Sequence, residues 1–206
     1  MKIKLCGFRD EESLKVAVKQ KCDFLGFIFC DKSPRNISLS QASALSMMIP
    51  SDIKKVAVVV DATFELLQKI IDNLSPDFLQ FHGSEDIQFL KEFRQKFPQI
   101  KIIKAFRINN EADLELVKNF EDYCDLFLFD GQNPGSGEKF NLEILKDFKS
   151  KKDWFLAGGI NIDNVLEMLQ ISGAKMIDIS SGIEEIRGTK SPKLIIEFMN
   201  KVRSLC

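Results

Sequence analysis

The sequence is poor in the residues that metal, disulfide and membrane chemistry require. His82 is the one histidine among 206 residues, which leaves too little material for a His-based zinc site, and no metal is expected. The five cysteines, at 6, 22, 30, 124 and 206, are odd in number and form no C-x-x-C. They read as reduced thiols rather than a disulfide framework. There is no apolar run of about 18 residues and no signal-peptide pattern, so the expectation is a soluble, unexported, cytoplasmic protein that does not enter a membrane. Charge of one sign is lacking too: 29 basic and 30 acidic residues are interspersed. No polyanion-binding surface follows from that balance, and nucleic acid is not expected as a partner. With no Pro/Gly/Ser-rich linker, residues 1–206 read as one domain.

What is present is a repeated alternation. Eight short apolar runs, "KIKLC", "DFLGFIF", "KKVAVVV", "DFLQFH", "KIIKAFRI", "DLFLFD", "WFLAGG" and "MIDISS", recur with an amphipathic stretch after nearly every one. The stretches predict helices over 11–21, 40–48, 63–73, 85–96, 111–121, 141–149, 161–171 and 192–204, with apolar residues at helical spacing such as Leu66, Leu67, Ile70 and Ile71. Thr63, Ser84 and Asn161 are placed to cap three of them. Strands alternating with helices imply parallel pairing, and eight units permit closure, so the expected class is α/β, a single (β/α)8 TIM barrel. An open doubly wound sheet is the alternative. The lack of G-x-G-x-x-G after the first run weakens its dinucleotide-binding form.

In a barrel, chemistry belongs at the C-terminal ends of the strands, on inward side chains. Reading each run with period two puts Lys4 and Cys6, Gln80 and His82, Asp130, and Asp178 and Ser180 on such faces. Polar groups converging there must pair with one another or serve a ligand, because desolvation is costly. Cys6 on its own reads as a small buried hydrophobe, but its position at the strand end favours a reactive thiol. His82 reads first as a hydrogen-bonded residue of the mouth. Asp130, after "LFLF", either caps a loop or is a carboxyl whose pKa apolar surroundings raise. "LAGGIN" and "ISSGIEE", after the last two runs, offer glycine and hydroxyl turns leading into helices, the second of them short. Together they predict a phosphate site at Gly158, Gly159, Ser180, Ser181 and Gly182, hence a phosphorylated small-molecule substrate. The third glycine cluster, "DGQNPGSGEKF", reads as a flexible loop of the mouth or, over Gln132 to Pro134, an ordinary surface loop.

The set "KLCGFRD", "GFIFCDKSPRNIS", "LQFHGSED", "KAFRI", "LFLFDG", "GSGEKF", "LAGGINIDNV" and "DISSGIEEIRGTK" resembles the phosphoribosylanthranilate isomerase family of tryptophan biosynthesis, in order and along essentially the full chain. The resemblance implies a barrel that performs an Amadori rearrangement of N-(5-phosphoribosyl)anthranilate with neither metal nor organic cofactor. It implies Cys6 as general base, Asp130 as general acid, Arg35 as partner of the anthranilate carboxylate, and the two turns as phosphate site. His82 and Asp178 join the substrate-binding set, and a monomer or homodimer is expected. The pattern departs where the family's "GTGKTFDW"-like loop reads "GSGEKFNL", with Lys139, Asn141 and Leu142. The base role requires a lowered thiol pKa, for which Lys4, shared with Asp178, is the nearest cation. A histidine-pathway isomerase of the same chemistry uses aspartates where this chain has Cys6 and the acid-free "KAFRI". A non-catalytic phosphosugar sensor would need the glycine turns but no acid and base pair.

Overall fold

Eight parallel strands, Lys2–Cys6 (β1), Phe24–Phe29 (β2), Lys54–Val59 (β3), Phe78–Phe81 (β4), Lys101–Arg107 (β5), Leu126–Asp130 (β6), Trp154–Ala157 (β7) and Met176–Ile179 (β8), pair in chain order and close β1 onto β8. The computed structural model describes residues 1–131 and 142–204. Gln132 to Pro134, the family departures at Lys139 and Asn141, the first residue of the helix expected from 141, and Cys206 lie outside the described residues. Helices Glu11–Lys19 (α1), Leu39–Ser46 (α2), Phe64–Leu74 (α3), Ile87–Lys96 (α4), Glu111–Lys118 (α5), Glu143–Lys146 (α6) and Val165–Ser172 (α7) follow the first seven strands. After β8 come the strands Glu184–Ile186 (β9) and Thr189–Lys190 (β10), an antiparallel hairpin, and then Pro192–Arg203 (α8).

Period two in the strands sorts the side chains into two cores. Phe24, Val56, Phe78, Ile103, Leu128, Phe155 and Met176 fill the barrel, while Leu5, Leu25, Phe27, Leu79, Phe81, Phe127 and Phe129 pack outward under the helices. Phe24 meets Phe78 and Phe155 edge-on, with centroids 5.7 and 5.1 Å apart, and so plugs the interior below the polar end.

Local chemistry moved several helix starts. Thr63 caps α3 as its sequence implies, its Oγ1 accepting from Leu66 N. Ser84 does not cap α4: Asp86 does, accepting from Phe89 N, while Ser84 bonds to Asp61. Asn161 accepts from the N–H groups of Asp163 and Asn164, a local turn that delays α7 to Val165. Beyond 141, the expected sixth helix is reduced to a four-residue turn. The short helix expected after "ISSG" is absent, because Ile183 and Glu184 donate to Ser180 and Ser181 in tight turns and the chain then enters the β9–β10 hairpin.

Candidate active site

The C-terminal strand ends surround a cavity of about 300 Å³, at the small end of the volumes that hold metabolite-sized ligands. Cys6, Arg35, His82, Asp130, Gly158, Gly159, Asp178, Ser180 and Ser181 line it together. Gly182 does not. A Cβ at Gly182 would lie 2.0 Å from the Ile160 carbonyl oxygen, so this glycine lets the strand-8 turn press against the strand-7 turn, where Asn161 and Gly182 form a bridge.

Cys6 ends β1 opposite Gly26 of β2. The thiol is only 4% exposed, yet it lines the cavity. Gly7 does turn the chain at once, with φ +89°, and Arg35 lies across it: a Cβ on Gly7 would be 2.8 Å from Arg35 Cδ. Lys4, fully buried two residues earlier, donates to Asp178 at 2.9 Å and is the expected cation beside Cys6. Its effect is outweighed. Burial pushes the Cys6 thiol above its ordinary value, Asp178 adds to the rise, and Lys4 and Lys190 pull against it without reversing it. Burial also opposes the Lys4 charge, yet Asp178 and Cys6 together raise its pKa. The second Asp178 oxygen, Oδ1, is buried without a hydrogen-bond partner among the described residues.

Gly26 supplies the space the sulfur occupies, since a Cβ there would sit 2.6 Å from Cys6 Sγ. Gly26→Ala is expected to lower kcat at least about tenfold by displacing that sulfur, with an overpacking cost of about 1–3 kcal/mol in stability. Parallel turnover and melting measurements check this; parental kinetics would show that the sulfur tolerates the shift.

On the facing side, His82 Nε2 lies 3.6 Å from Asp130 Oδ2. The amide of Gln80 is 3.1 Å from His82 Nδ1. With the Gln80 nitrogen donating, the neutral ring carries its proton on Nε2, toward Asp130. A buried Lys104 donates to Glu85 at 3.0 Å and to the Gly83 carbonyl at 2.7 Å, fixing the "HGSE" turn that carries His82.

The strand-7 turn needs its glycines: Gly158 and Gly159 have φ of +90° and +64°, where a Cβ is strained. Asn164 donates to the Gly159 carbonyl at 2.9 Å and pins the turn. Ser180 Oγ donates to the Cys6 carbonyl at 3.0 Å, joining the strand-8 turn to the strand that carries the thiol.

Sequence reasoning left out Arg107, which ends β5 opposite Asp130 and lines the cavity. Its position as the last residue of a strand was the available signal. It also left out Glu184 and Lys190, whose two- and three-residue strands carry no periodicity to read. Glu184 accepts from Arg35 at both Nε and Nη2, and from Lys190. Burial alone would raise the Glu184 carboxyl, but these bonds and the Lys190 charge hold it down to about 2. The stability from this depression is therefore fully present above its ordinary 4.5 and is lost as the pH falls toward about 2. Among the described residues no group of three or more His, Cys, Asp or Glu is arranged to hold a metal, and no helix is long and apolar enough to cross a membrane.

Comparison with known proteins gives this geometry a family. The family model described as N-(5'phosphoribosyl)anthranilate (PRA) isomerase matches residues 3–201. A curated N-(5'-phosphoribosyl)anthranilate isomerase from Parvibaculum lavamentivorans is 34% identical over 212 residues, covering 98% of each chain. A crystal structure of phosphoribosyl anthranilate isomerase in complex with reduced 1-(o-carboxyphenylamino)-1-deoxyribulose 5-phosphate superposes with a TM-score of 0.86 at 26% identity, over 99% of both chains. Mutually generated monomers of the dimeric enzyme from Thermotoga maritima give 0.85 at 26% identity, again over 99% of both chains. The family match reaches every strand of the barrel, and the chain belongs to the N-(5'-phosphoribosyl)anthranilate isomerase family.

Proposed function

We propose that Cys6 and Asp130 divide the proton transfers of the isomerisation for which the family is named. The chain is an isomerase of the aldose–ketose type in tryptophan biosynthesis, and its substrate is N-(5'-phosphoribosyl)anthranilate. Asp130 delivers a proton to the furanose ring oxygen, and the ring opens to an iminium. That cation acidifies the sugar C2–H, which Cys6 removes as a thiolate to leave an enolamine. The enolamine relaxes to the ketone, 1-(2-carboxyphenylamino)-1-deoxyribulose 5-phosphate. Arg35 holds the anthranilate carboxylate, the Gly158–Gly159 and Ser180–Ser181 turns hold the phosphate, and His82 and Asp178 flank the sugar.

The observation that carries this reading is that Cys6 on β1 and Asp130 on β6 face one cavity, whose wall between them is built from the two glycine and serine turns. Residues 1–206 act as one catalytic domain. The enzyme works in the cytoplasm as a monomer or homodimer, without metal, cofactor, nucleic acid or membrane.

Freshly made N-(5'-phosphoribosyl)anthranilate tests the reading directly, because its fluorescence should disappear with turnover. Inorganic phosphate should compete with it. Gly159→Val should raise KM at least about tenfold, since a branched side chain is strained at positive φ and blocks the anion's approach. The circular dichroism spectrum should stay near the parent's, while the strain at positive φ should lower the melting temperature by several degrees. Normal KM in Gly159→Val would place the phosphate elsewhere.

A further inference from the structure

Arg35 is held by a carboxylate that no part of the proton-transfer chemistry uses. Glu184 receives four hydrogen bonds: Arg35 Nε at 2.6 Å and Nη2 at 2.8 Å, Lys190 Nζ at 2.8 Å, and Gly188 N at 3.1 Å. The side chains of Glu184 and Lys190 are 4% and 1% exposed. Burying one carboxylate and two cations costs desolvation, and apolar residues would serve packing as well or better. The hairpin that carries Glu184 and Lys190 also touches the backbone next to Arg35: a Cβ on Gly188 would lie 2.6 Å from the Pro34 carbonyl oxygen. Both the main chain and the guanidinium of Arg35 are thus set by one structural element.

A guanidinium has two forks, one along Nε and Nη2 and one along Nη1 and Nη2. Glu184 fills the first. The second retains the Nη1 donors, which have no hydrogen-bond partner among the described residues, and Arg35 lines the cavity. Arg35 and Lys190 against Glu184 also leave one positive charge in excess.

We propose that Glu184 is a positioning residue for substrate selection: by occupying one fork of Arg35 it orients the other toward the carboxylate of the substrate's aromatic ring. This rests on the reading that Arg35 binds that carboxylate. Glutamine at 184 would offer one acceptor in place of two and would turn an amide N–H₂ against the donors of Arg35 or Lys190. Loss of orientation then outweighs the gain in net positive charge.

The test compares N-(5-phosphoribosyl)anthranilate with N-(5-phosphoribosyl)aniline, which lacks the carboxylate, in the parent, Arg35→Ala, Glu184→Gln and Glu184→Asp. Glu184→Gln should lower kcat/KM for the anthranilate at least about tenfold, chiefly through KM, and change it less than about twofold for the aniline. Glu184→Asp keeps the charge with a shorter reach and should show the same selectivity loss in smaller measure; it decides the matter if Glu184→Gln melts below the assay temperature. Equal losses on both substrates would make Glu184 a merely structural residue, and tighter anthranilate binding in Glu184→Gln would reverse the proposed sign. Either result overturns the proposal. If Arg35→Ala separates the two substrates and the Glu184 variants do not, the positioning role falls while the carboxylate site stands. If Arg35→Ala affects both substrates alike, the carboxylate site falls and the positioning role with it.

Discussion

Replacing Cys6 by serine is expected to lower kcat at least about a hundredfold while leaving affinity for the product nearly intact, the signature of a lost proton-transfer group. A serine hydroxyl in the same place is a far weaker acid than a thiol and offers almost no anion at neutral pH. The parent already works against this limit, because burial pushes the Cys6 thiol up and Lys4 and Lys190 only partly offset it. With the thiol's pKa raised by burial, the thiolate share of the empty enzyme is expected to grow as the pH rises above neutrality. On this limb kcat/KM should climb between about pH 7 and 9 in the parent, and the climb should vanish in Cys6→Ser. A serine variant with near-parental turnover, or a parent profile flat over that range, would remove Cys6 as the base.

Asp130→Asn should produce a fall of the same order, at least about a hundredfold in kcat with little change in KM. The amide preserves the shape and one acceptor but has no proton to give the ring oxygen. His82 makes this variant informative. Its Nε2 is 3.6 Å from Asp130 Oδ2, near enough to be the alternative acid. If Asp130→Asn turns over normally and the loss appears instead when His82 is replaced by glutamine, the acid is the imidazole. If the asparagine variant alone collapses, His82 acts as a partner of the carboxyl.

The barrel was legible because its cause is local and repeated: eight apolar runs of period two, each followed by a 3.6-residue pattern, leave few topologies other than closure or an open sheet. The resemblance of the motif series to one family then named residues that the fold brings around one cavity. What escaped reading depended on partners distant in sequence. Nothing near "IEEIRGTK" announces that Glu184 will meet Arg35, 149 positions away. Nothing in "DFLGFIF" marks Gly26 as the residue that faces Cys6; the β1–β2 register places it there. The condition set for Cys6, a pKa lowered by a nearby cation, was only half legible: Lys4 is visible in "KLC", whereas the burial that outweighs it comes from strands the local sequence does not show. Ser84 illustrates competition between good hydrogen-bond partners, since Asp61 captured it and left the helix cap to Asp86.

The contacts from Lys4 to Asp178 and from Ser180 to Cys6 each bridge 174 residues. Closure of β1 on β8 is consequently among the most non-local events available to this chain, and such events come slowly because a long loop must be ordered before any contact rewards it. Cys6, the proposed base, is held by the same seam that shuts the barrel. A refolding chain can therefore regain its helices and most of its strand pairs while remaining inert. Turnover is expected to return only once β1 has closed on β8, so recovery of activity followed beside the helical signal during refolding should time the closure step.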